Sequence, residues 1–321
     1  MAIIAGCVCI SVIGATYWFG SEMVTEILAT PTEINTCDGL LNFMLERYES
    51  TGSSREIPQT SLQVLVVYPV QGDQIAEPDF RTIPQELLPL QQETTSHYLI
   101  WDYFTRIIPP EQRAPISEYR IITDGRGGEL AAQFEVSPYY TSEGDSGLWD
   151  LNSEQWALLV DLADYSDNKL FTGVLLHEFG HMLTLNAHQV YYIIDNAANC
   201  QRYYTDPGCS LPDSYLQLFI ERFWGEIYEE WQSITAQGDA STVKSGLDTF
   251  YEVHQGEFLT RYSVTAPDED IAEAWGHFIL APIPDGDTIA EQKILFFYDF
   301  PEFLQLRSEI THRICEYFNM P

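Results

Sequence analysis

Basic residues are scarce in this chain. Its 321 residues include 15 Lys and Arg against 48 Asp and Glu, which gives a formal net charge of −33 at pH 7. A surface this acidic repels nucleic acid phosphates and anionic lipid headgroups. The composition therefore excludes nucleic acid as a partner. It is typical of a protein kept soluble in salt water or in the extracellular medium, and it gives no indication of a substrate.

The N-terminal segment lacks basic residues altogether, since no Lys or Arg precedes Arg47. Residues 1–20 are nevertheless apolar over about the length of one membrane crossing, whereas signals and anchors normally have basic flanks. The tetrapeptide IAGC, which ends at Cys7, resembles the cleavage box of bacterial lipoproteins, although such a box usually follows a longer apolar run. We predict either a signal of this kind or an uncleaved anchor. Both place the remainder outside the cytoplasm, extracellular or anchored to the cell envelope, with membrane attachment through this segment only.

Paired C-x-x-C spacing is also absent, so a zinc site built from cysteines is not expected. Outside the N-terminal apolar segment, four cysteines remain: Cys37, Cys200, Cys209 and Cys315. An even number in an exported chain predicts two disulfides, for which three connectivities exist. The nine-residue spacing favours a local Cys200–Cys209 loop, which leaves Cys37 to pair with Cys315. Four buried free thiols are the alternative.

Internal repeats and low-complexity tracts are lacking, and 45% hydrophobic residues allow the chain to bury a full core. We expect a polar lead-in over residues 21–60, with a helix at CDGLLNFMLERY, and then one large domain over residues 61–321. Its first half, residues 61–186, contains the predicted strands, and residues 187–321 are predicted to be mostly helical.

Four segments of the first half are predicted to be strands: LQVLVVYPV, YRIIT, LAAQFEVS and WALLVDLAD. The glycine-rich DGRGGE between the second and the third predicts a hairpin. The later helices are predicted at SYLQLFIERFWGEIYEEWQSI, DEDIAEAWGHFIL, DTIAEQKILFFYDF and PEFLQLRSEITHRICEYF. This order predicts an α+β fold with an N-terminal mixed sheet, a helix carrying HEFGH and a helical C-terminal half.

The motif HEFGH covers residues 177–181. Positions four apart share one face of a helix, so His177 and His181 can direct ring nitrogens at one metal ion. Glu178 projects beside them, where a carboxylate can take a proton from a water that zinc has acidified. The alternative is a pair of partly buried histidines whose hydrogen bonds are satisfied by their neighbours.

A catalytic zinc site needs a third protein ligand and an open fourth position. The downstream segment DEDIAEAWGHF offers Glu269, Glu273 and His277 at helical spacing on one face. An acidic helix N-terminus, which is favourable to the helix dipole, is the alternative explanation of these carboxylates.

The combination of HEFGH with EDIAEAW resembles the gluzincin clan of zinc metallopeptidases, and the two motifs are similar to those of the anthrax lethal factor catalytic domain. In that pattern a Tyr stands seven residues before the Glu ligand, as Tyr262 does before Glu269. Over roughly residues 130–321 the chain also resembles uncharacterised secreted metallopeptidases and lipoproteins of bacteria. Glu269 follows His181 by 88 positions, a larger gap than in the lethal factor pattern.

The resemblance implies a zincin-like fold and a zinc-dependent endopeptidase that hydrolyses extracellular proteins or peptides. It implies that His177, His181 and Glu269 are the metal ligands, that Glu178 is the general base and that Tyr262 donates to the oxyanion. The pattern also favours Glu273 as a carboxylate behind one ligating histidine. His277, further along the same helix, is the alternative oxyanion donor. A substrate peptide would lie antiparallel to an edge strand, for which LAAQFEV is the candidate. A zinc hydrolase acting on cell-wall or other non-peptide amides and a non-catalytic surface binding protein are the alternatives.

Overall fold

Six strands of the first half form a mixed sheet: β1 (Gln63–Gln71), β2 (Gln74–Ile75), β3 (Asp79–Phe80), β4 (Ile116–Thr123), β5 (Ala132–Val136) and β6 (Trp156–Asp161). Their order is β2-β1-β4-β6-β5, and β3 also pairs with β1. Strands β4 and β6 are parallel, and the other pairs are antiparallel. All six residues of β6 are buried, as expected for a mostly apolar strand that lies between two other strands of the sheet.

The computed structural model describes residues 36–52, 62–124, 132–136, 155–192, 200–205 and 208–320. The predicted signal or anchor over residues 1–20 and the predicted DGRGGE turn lie outside the described residues. The described residues belong to one compact unit, Glu33–Pro321. Within the part of the chain that the structure describes, no helix is long and apolar enough to span a membrane.

The predicted hairpin between β4 and β5 is wrong. Strand β6 lies between them, parallel to β4 and antiparallel to β5, with Ala132 opposite Val160 and Val136 opposite Trp156. Turn glycines indicate that the chain reverses, but they do not determine which strand occupies the neighbouring position. The fully buried β6 lies in the interior of the sheet, and the shorter, partly exposed β5 becomes the terminal strand among those described.

Eleven helices are present in the described residues: α1 (Cys37–Gly52), α2 (Leu88–Gln92), α3 (Thr94–Ile107), α4 (Pro110–Arg113), α5 (Asn168–Thr184), α6 (Tyr215–Phe223), α7 (Tyr228–Thr235), α8 (Ala240–Val253), α9 (Pro267–Leu280), α10 (Ile289–Phe296) and α11 (Pro301–Tyr317). Helix α5 begins where Asp167 accepts hydrogen bonds from the backbone N–H groups of Lys169 and Leu170. Helix α9 begins with a proline at its first position, where no intrahelical partner is lost. The α+β class is confirmed, with more helix than strand.

The second half differs from its prediction at two places. It begins with a small sheet of β7 (Val190–Tyr192), β8 (Tyr204–Thr205) and β9 (Gly208–Ser210), in the order β7-β9-β8. The single long helix predicted from SYLQLFIERFWGEIYEEWQSI is instead divided into α6 and α7, and α8 follows as a further helix. Gly225 lies in the break, where the poor helix propensity of glycine favours an interruption.

The two disulfides join the pairs that the cysteine spacing favoured. Cys37 at the start of α1 is bonded to Cys315 of α11, with Cα atoms 5.4 Å apart, and Cys200 is bonded to Cys209 of β9, with Cα atoms 5.5 Å apart. Both separations are normal for a disulfide. Since α1 is tied to α11 and buries Leu40, Met44 and Tyr48, the helix of the predicted lead-in belongs to the main unit.

Helices α5 and α9 cross closely at the centre of the unit. A Cβ atom on Gly180 of α5 would lie 3.2 Å from the Cα of Ala272 and 3.1 Å from Cδ1 of Trp275, both on α9. The absence of a side chain at this position therefore serves the packing of the two helices. A second glycine of α5, Gly173, faces α1, where an added Cβ would lie 2.5 Å from Cδ2 and 2.6 Å from Cβ of Tyr48.

We expect Gly173→Ala to destabilise the fold. The gain in helix propensity of about 1 kcal/mol is outweighed by the displacement of α1, because overpacking costs about 1–3 kcal/mol. The matched control is Gly276→Ala on α9, where the nearest atom to an added Cβ is the backbone N of His177 at 4.0 Å. Urea unfolding with a chelator present should show a loss of up to about 2 kcal/mol for the first variant and no loss for the second. Equal effects of the two substitutions would contradict this packing.

Candidate metal centre

The two histidines of α5 lie one helical turn apart and direct the same ring atom at one point. The Nε2 atoms of His177 and His181 are 3.2 Å apart, and both side chains are buried. The packing of Phe179 and Leu175 into the core fixes the rotation of α5, so the two rings face α9.

Glu269, in the first turn of α9, brings a carboxylate oxygen to the same point. Its Oε2 lies 3.0 Å from His177 Nε2 and 3.2 Å from His181 Nε2. Zinc at about 2.0–2.1 Å from each ligand would place the ligand atoms about 3.3 Å apart, so these separations fit a tetrahedral zinc site. Among the residues that the structure describes, no other group of three His, Cys, Asp or Glu side chains converges in this way. The Glu269 side chain keeps 22% of its surface exposed, so the site is accessible on that side.

The charges of the site favour a bound cation. Burial lowers the pKa of both histidines, but nearby carboxylates more than compensate: Glu269 and Glu273 raise the pKa of His177, and Glu269 is the main cause that raises the pKa of His181 to about 10. Burial raises the pKa of Glu269, but the two histidines hold it well below its usual range. A dication would take the place of the protons that this carboxylate attracts to the rings.

Glu178 lies beside the ligand triangle and outside it. Its Oε2 accepts a hydrogen bond of 3.2 Å from the backbone N–H of Phe134 on β5, and its Oε1 lies 4.0 Å from His177 Nε2. Because one carboxylate oxygen is tied to the terminal strand, the other is held near the position that a metal-activated water would occupy. This arrangement is suitable for a general base.

Glu273 lies behind the metal centre, on the far side of the His177 ring. Its Oε1 is 3.0 Å from His177 Nδ1, and its Oε2 accepts a hydrogen bond of 2.9 Å from the Thr260 hydroxyl. Tyr48 of α1 also donates to Oε1, and the Glu273 carboxylate is fully buried. The two glutamates of α9 therefore face opposite nitrogens of one imidazole, since four residues of helix separate them by about 6 Å.

His277 is directed away from the ligands. Its Nδ1 lies 2.8 Å from the backbone oxygen of Glu273, and its Nε2 lies 3.1 Å from Glu49 Oε1 on α1. Burial lowers the pKa of His277, but the hydrogen bond with Glu49 and the charge of Glu273 more than offset this, so the pKa is raised. Two turns of α9, about 12 Å of rise, separate His277 from Glu269, and Glu49 occupies its Nε2, so these contacts give no support to His277 as the oxyanion donor.

Tyr262 lies next to the ligands, in a single 3₁₀ turn over Tyr262–Val264 before α9. Its ring centroid is 5.8 Å from that of His177, and the two rings are inclined at 60°. The ring is half-buried, so Tyr262 remains the candidate for a hydroxyl at the open side of the site.

Several residues around the centre were missed by the sequence reasoning: Tyr48, Glu49, Thr260, Tyr203 and Asp268. Tyr203, within the Cys200–Cys209 loop, donates a hydrogen bond of 2.6 Å to Asp268 Oδ1, next to Glu269 in the chain. These contacts join segments that are far apart in the sequence, so no short motif predicts them. The disulfide spacing was the one signal that placed the Tyr203 loop in a fixed conformation.

Comparisons with known proteins add little to this geometry. No protein-family model matches the chain, and no curated protein matches it. One solved structure, described as "a putative zinc-binding metallo-peptidase" from Bacteroides caccae, is similar at 15% identity, over 85% of this chain and 91% of that chain, with a TM-score of 0.30. At so low a TM-score the likeness establishes neither a shared activity nor a shared fold.

Proposed function

We propose that this chain is a zinc-dependent endopeptidase of the gluzincin type. The observation that carries the proposal is the convergence of His177 Nε2, His181 Nε2 and Glu269 Oε2 within 3.0–3.2 Å of one another. Two imidazoles and one carboxylate are a ligand set of catalytic zinc peptidases, which keep the fourth position open for water or substrate. The Glu178 carboxylate lies outside this set and next to it.

When bound, zinc supplies Lewis acidity that polarises the scissile carbonyl and acidifies the attacking water. Glu178 accepts the proton of that water through the oxygen nearer His177 and passes it to the leaving amine. Tyr262 donates its hydroxyl proton in a hydrogen bond to the oxyanion that develops on the carbonyl. Asp268 and Tyr203 hold the first turn of α9, from which Glu269 projects.

The substrate is proposed to be an extended peptide that adds to the sheet at β5. This strand is terminal among the described strands, and its Phe134 N–H is hydrogen-bonded to Glu178, so the strand runs directly past the general base. A peptide paired antiparallel to β5 would have its backbone fixed by main-chain hydrogen bonds, with little dependence on its side chains. The two disulfides support export to an oxidising compartment, where such a peptidase meets extracellular proteins or peptides.

We expect purified protein to bind one zinc per chain and to cleave members of a peptide library. A chelator should abolish cleavage and added zinc should restore it, because the water loses its activating ion when the metal is removed. Metal analysis by mass spectrometry and a library digest provide the measurement, and His181→Ala is the control that should bind no zinc tightly. The proposal would be overturned if the protein binds no zinc after reconstitution. It would also be overturned if metal analysis finds iron instead of zinc at the site. Zinc binding without peptide cleavage would support the non-peptide hydrolase or the binding protein.

A further inference from the structure

A buried chain of hydrogen-bonding groups connects α1 to a metal ligand. The Tyr48 hydroxyl donates to Glu273 Oε1, and the same oxygen lies 3.0 Å from His177 Nδ1. Tyr48, Glu273 and His177 are each at most 1% exposed, so water does not compete for these contacts. In a medium of low dielectric constant, such contacts are stronger than at the surface.

The Glu273 carboxylate depends on its donors because it is fully buried. Burial of a charged carboxylate is unfavourable unless hydrogen bonds replace its water. Tyr48 supplies one donor on Oε1, Thr260 supplies another at 2.9 Å on Oε2, and His177 faces Oε1. With the carboxylate held from both sides, the plane of the His177 ring is held as well, and its Nε2 stays directed at Glu269.

Three features fix Tyr48 itself. The missing side chain of Gly173 makes room for its ring against α5, since a Cβ there would lie within 2.6 Å of three Tyr48 carbons. Its neighbour Glu49 pairs with His277 Nε2 at 3.1 Å on α9. The start of α1 is tied to α11 by the Cys37–Cys315 disulfide. Helix α1 therefore has a defined position against both helices that carry the ligands.

We propose that Tyr48 is a positioning residue of the metal centre, which slows zinc loss by holding Glu273 against His177. The inference rests on the proposed zinc function. Glu273 orients the imidazole directly, and loss of such a partner weakens metal binding by about 10–100-fold. Tyr48 acts one step further out, so removal of its hydroxyl has a smaller effect, of about three- to tenfold.

The test is Tyr48→Phe in the full chain, which keeps the ring and removes the hydroxyl. The rate at which zinc is lost from the loaded protein to a chromogenic chelator should rise about three- to tenfold. The matched control is Tyr103→Phe. Tyr103 is equally buried, and its hydroxyl is hydrogen-bonded to the Thr172 hydroxyl on α5, the helix that carries His177, but outside the metal centre. Unfolding of the metal-free proteins shows whether the two variants lose similar stability.

A double variant distinguishes positioning from a general structural role. If Tyr48 acts through Glu273, then Tyr48→Phe should add little to the faster zinc loss of Glu273→Ala. Additive effects, a wild-type rate for Tyr48→Phe, or an equal acceleration by Tyr103→Phe would each overturn the inference. Wild-type protein that binds no zinc would instead contradict the proposed function, so the two failures are distinguishable.

Discussion

Glu178→Gln is expected to bind zinc as tightly as the wild-type protein and to lose nearly all turnover. The amide oxygen of Gln can still accept the hydrogen bond from the Phe134 N–H, so the side chain should keep its place beside β5. It cannot take a proton from water near neutral pH, whereas general base catalysis contributes about 10²–10⁴-fold. The measurement is kcat on a cleaved library peptide, together with zinc content.

The control for this variant is Glu309→Gln, which removes the same charge from α11, where Glu309 pairs with Arg313 at the surface. Its kcat should stay near that of the wild-type protein. A Glu178→Gln protein that keeps zinc and also keeps its activity would show that another group takes the proton. If the variant loses zinc, Glu178 is a ligand and the proposed division of roles fails.

Local features of the site could be predicted from the sequence because they depend on helical spacing. His181 follows His177 by four positions, and this spacing alone places both rings on one face of α5. The strand at β6 likewise follows from its own apolar residues. The close pair Cys200 and Cys209 also required only a short loop.

Contacts between distant segments could not be predicted. Tyr48 and Glu273 are separated by 225 positions, and their hydrogen bond depends on how α1 packs against α5 and α9. The glycine-rich turn predicted that the chain reverses after β4. It could not predict that β6 would lie between β4 and β5, because that order depends on which strands are buried in the sheet. His277 had the right chemistry and helical face for an oxyanion donor, but Glu49 of α1 pairs with its Nε2.

Glu269→Ala is expected to abolish tight zinc binding, with a loss greater than the 10–100-fold or so expected for Glu273→Ala. The two glutamates lie one turn apart on α9, but Glu269 Oε2 faces the Nε2 atoms of both histidines, whereas Glu273 Oε1 faces only His177 Nδ1. Removal of Glu269 deletes one of three ligands, and removal of Glu273 leaves all three in place with one ring less firmly oriented.

Zinc titration against a competing chelator measures both variants, and Asp268→Asn is the matched control. Asp268 precedes Glu269 in the same helical turn, and its Oδ1 accepts a hydrogen bond of 2.6 Å from the Tyr203 hydroxyl, which the amide oxygen of Asn can also accept. The control should keep zinc within a few-fold of the wild-type affinity, since it removes a neighbouring charge without removing a ligand. If Glu273→Ala loses the metal while Glu269→Ala retains it, the ligand is Glu273, one helical turn further along α9. If all three variants lose zinc equally, the combined negative charge at the start of α9 holds the ion, and no single carboxylate is the third ligand.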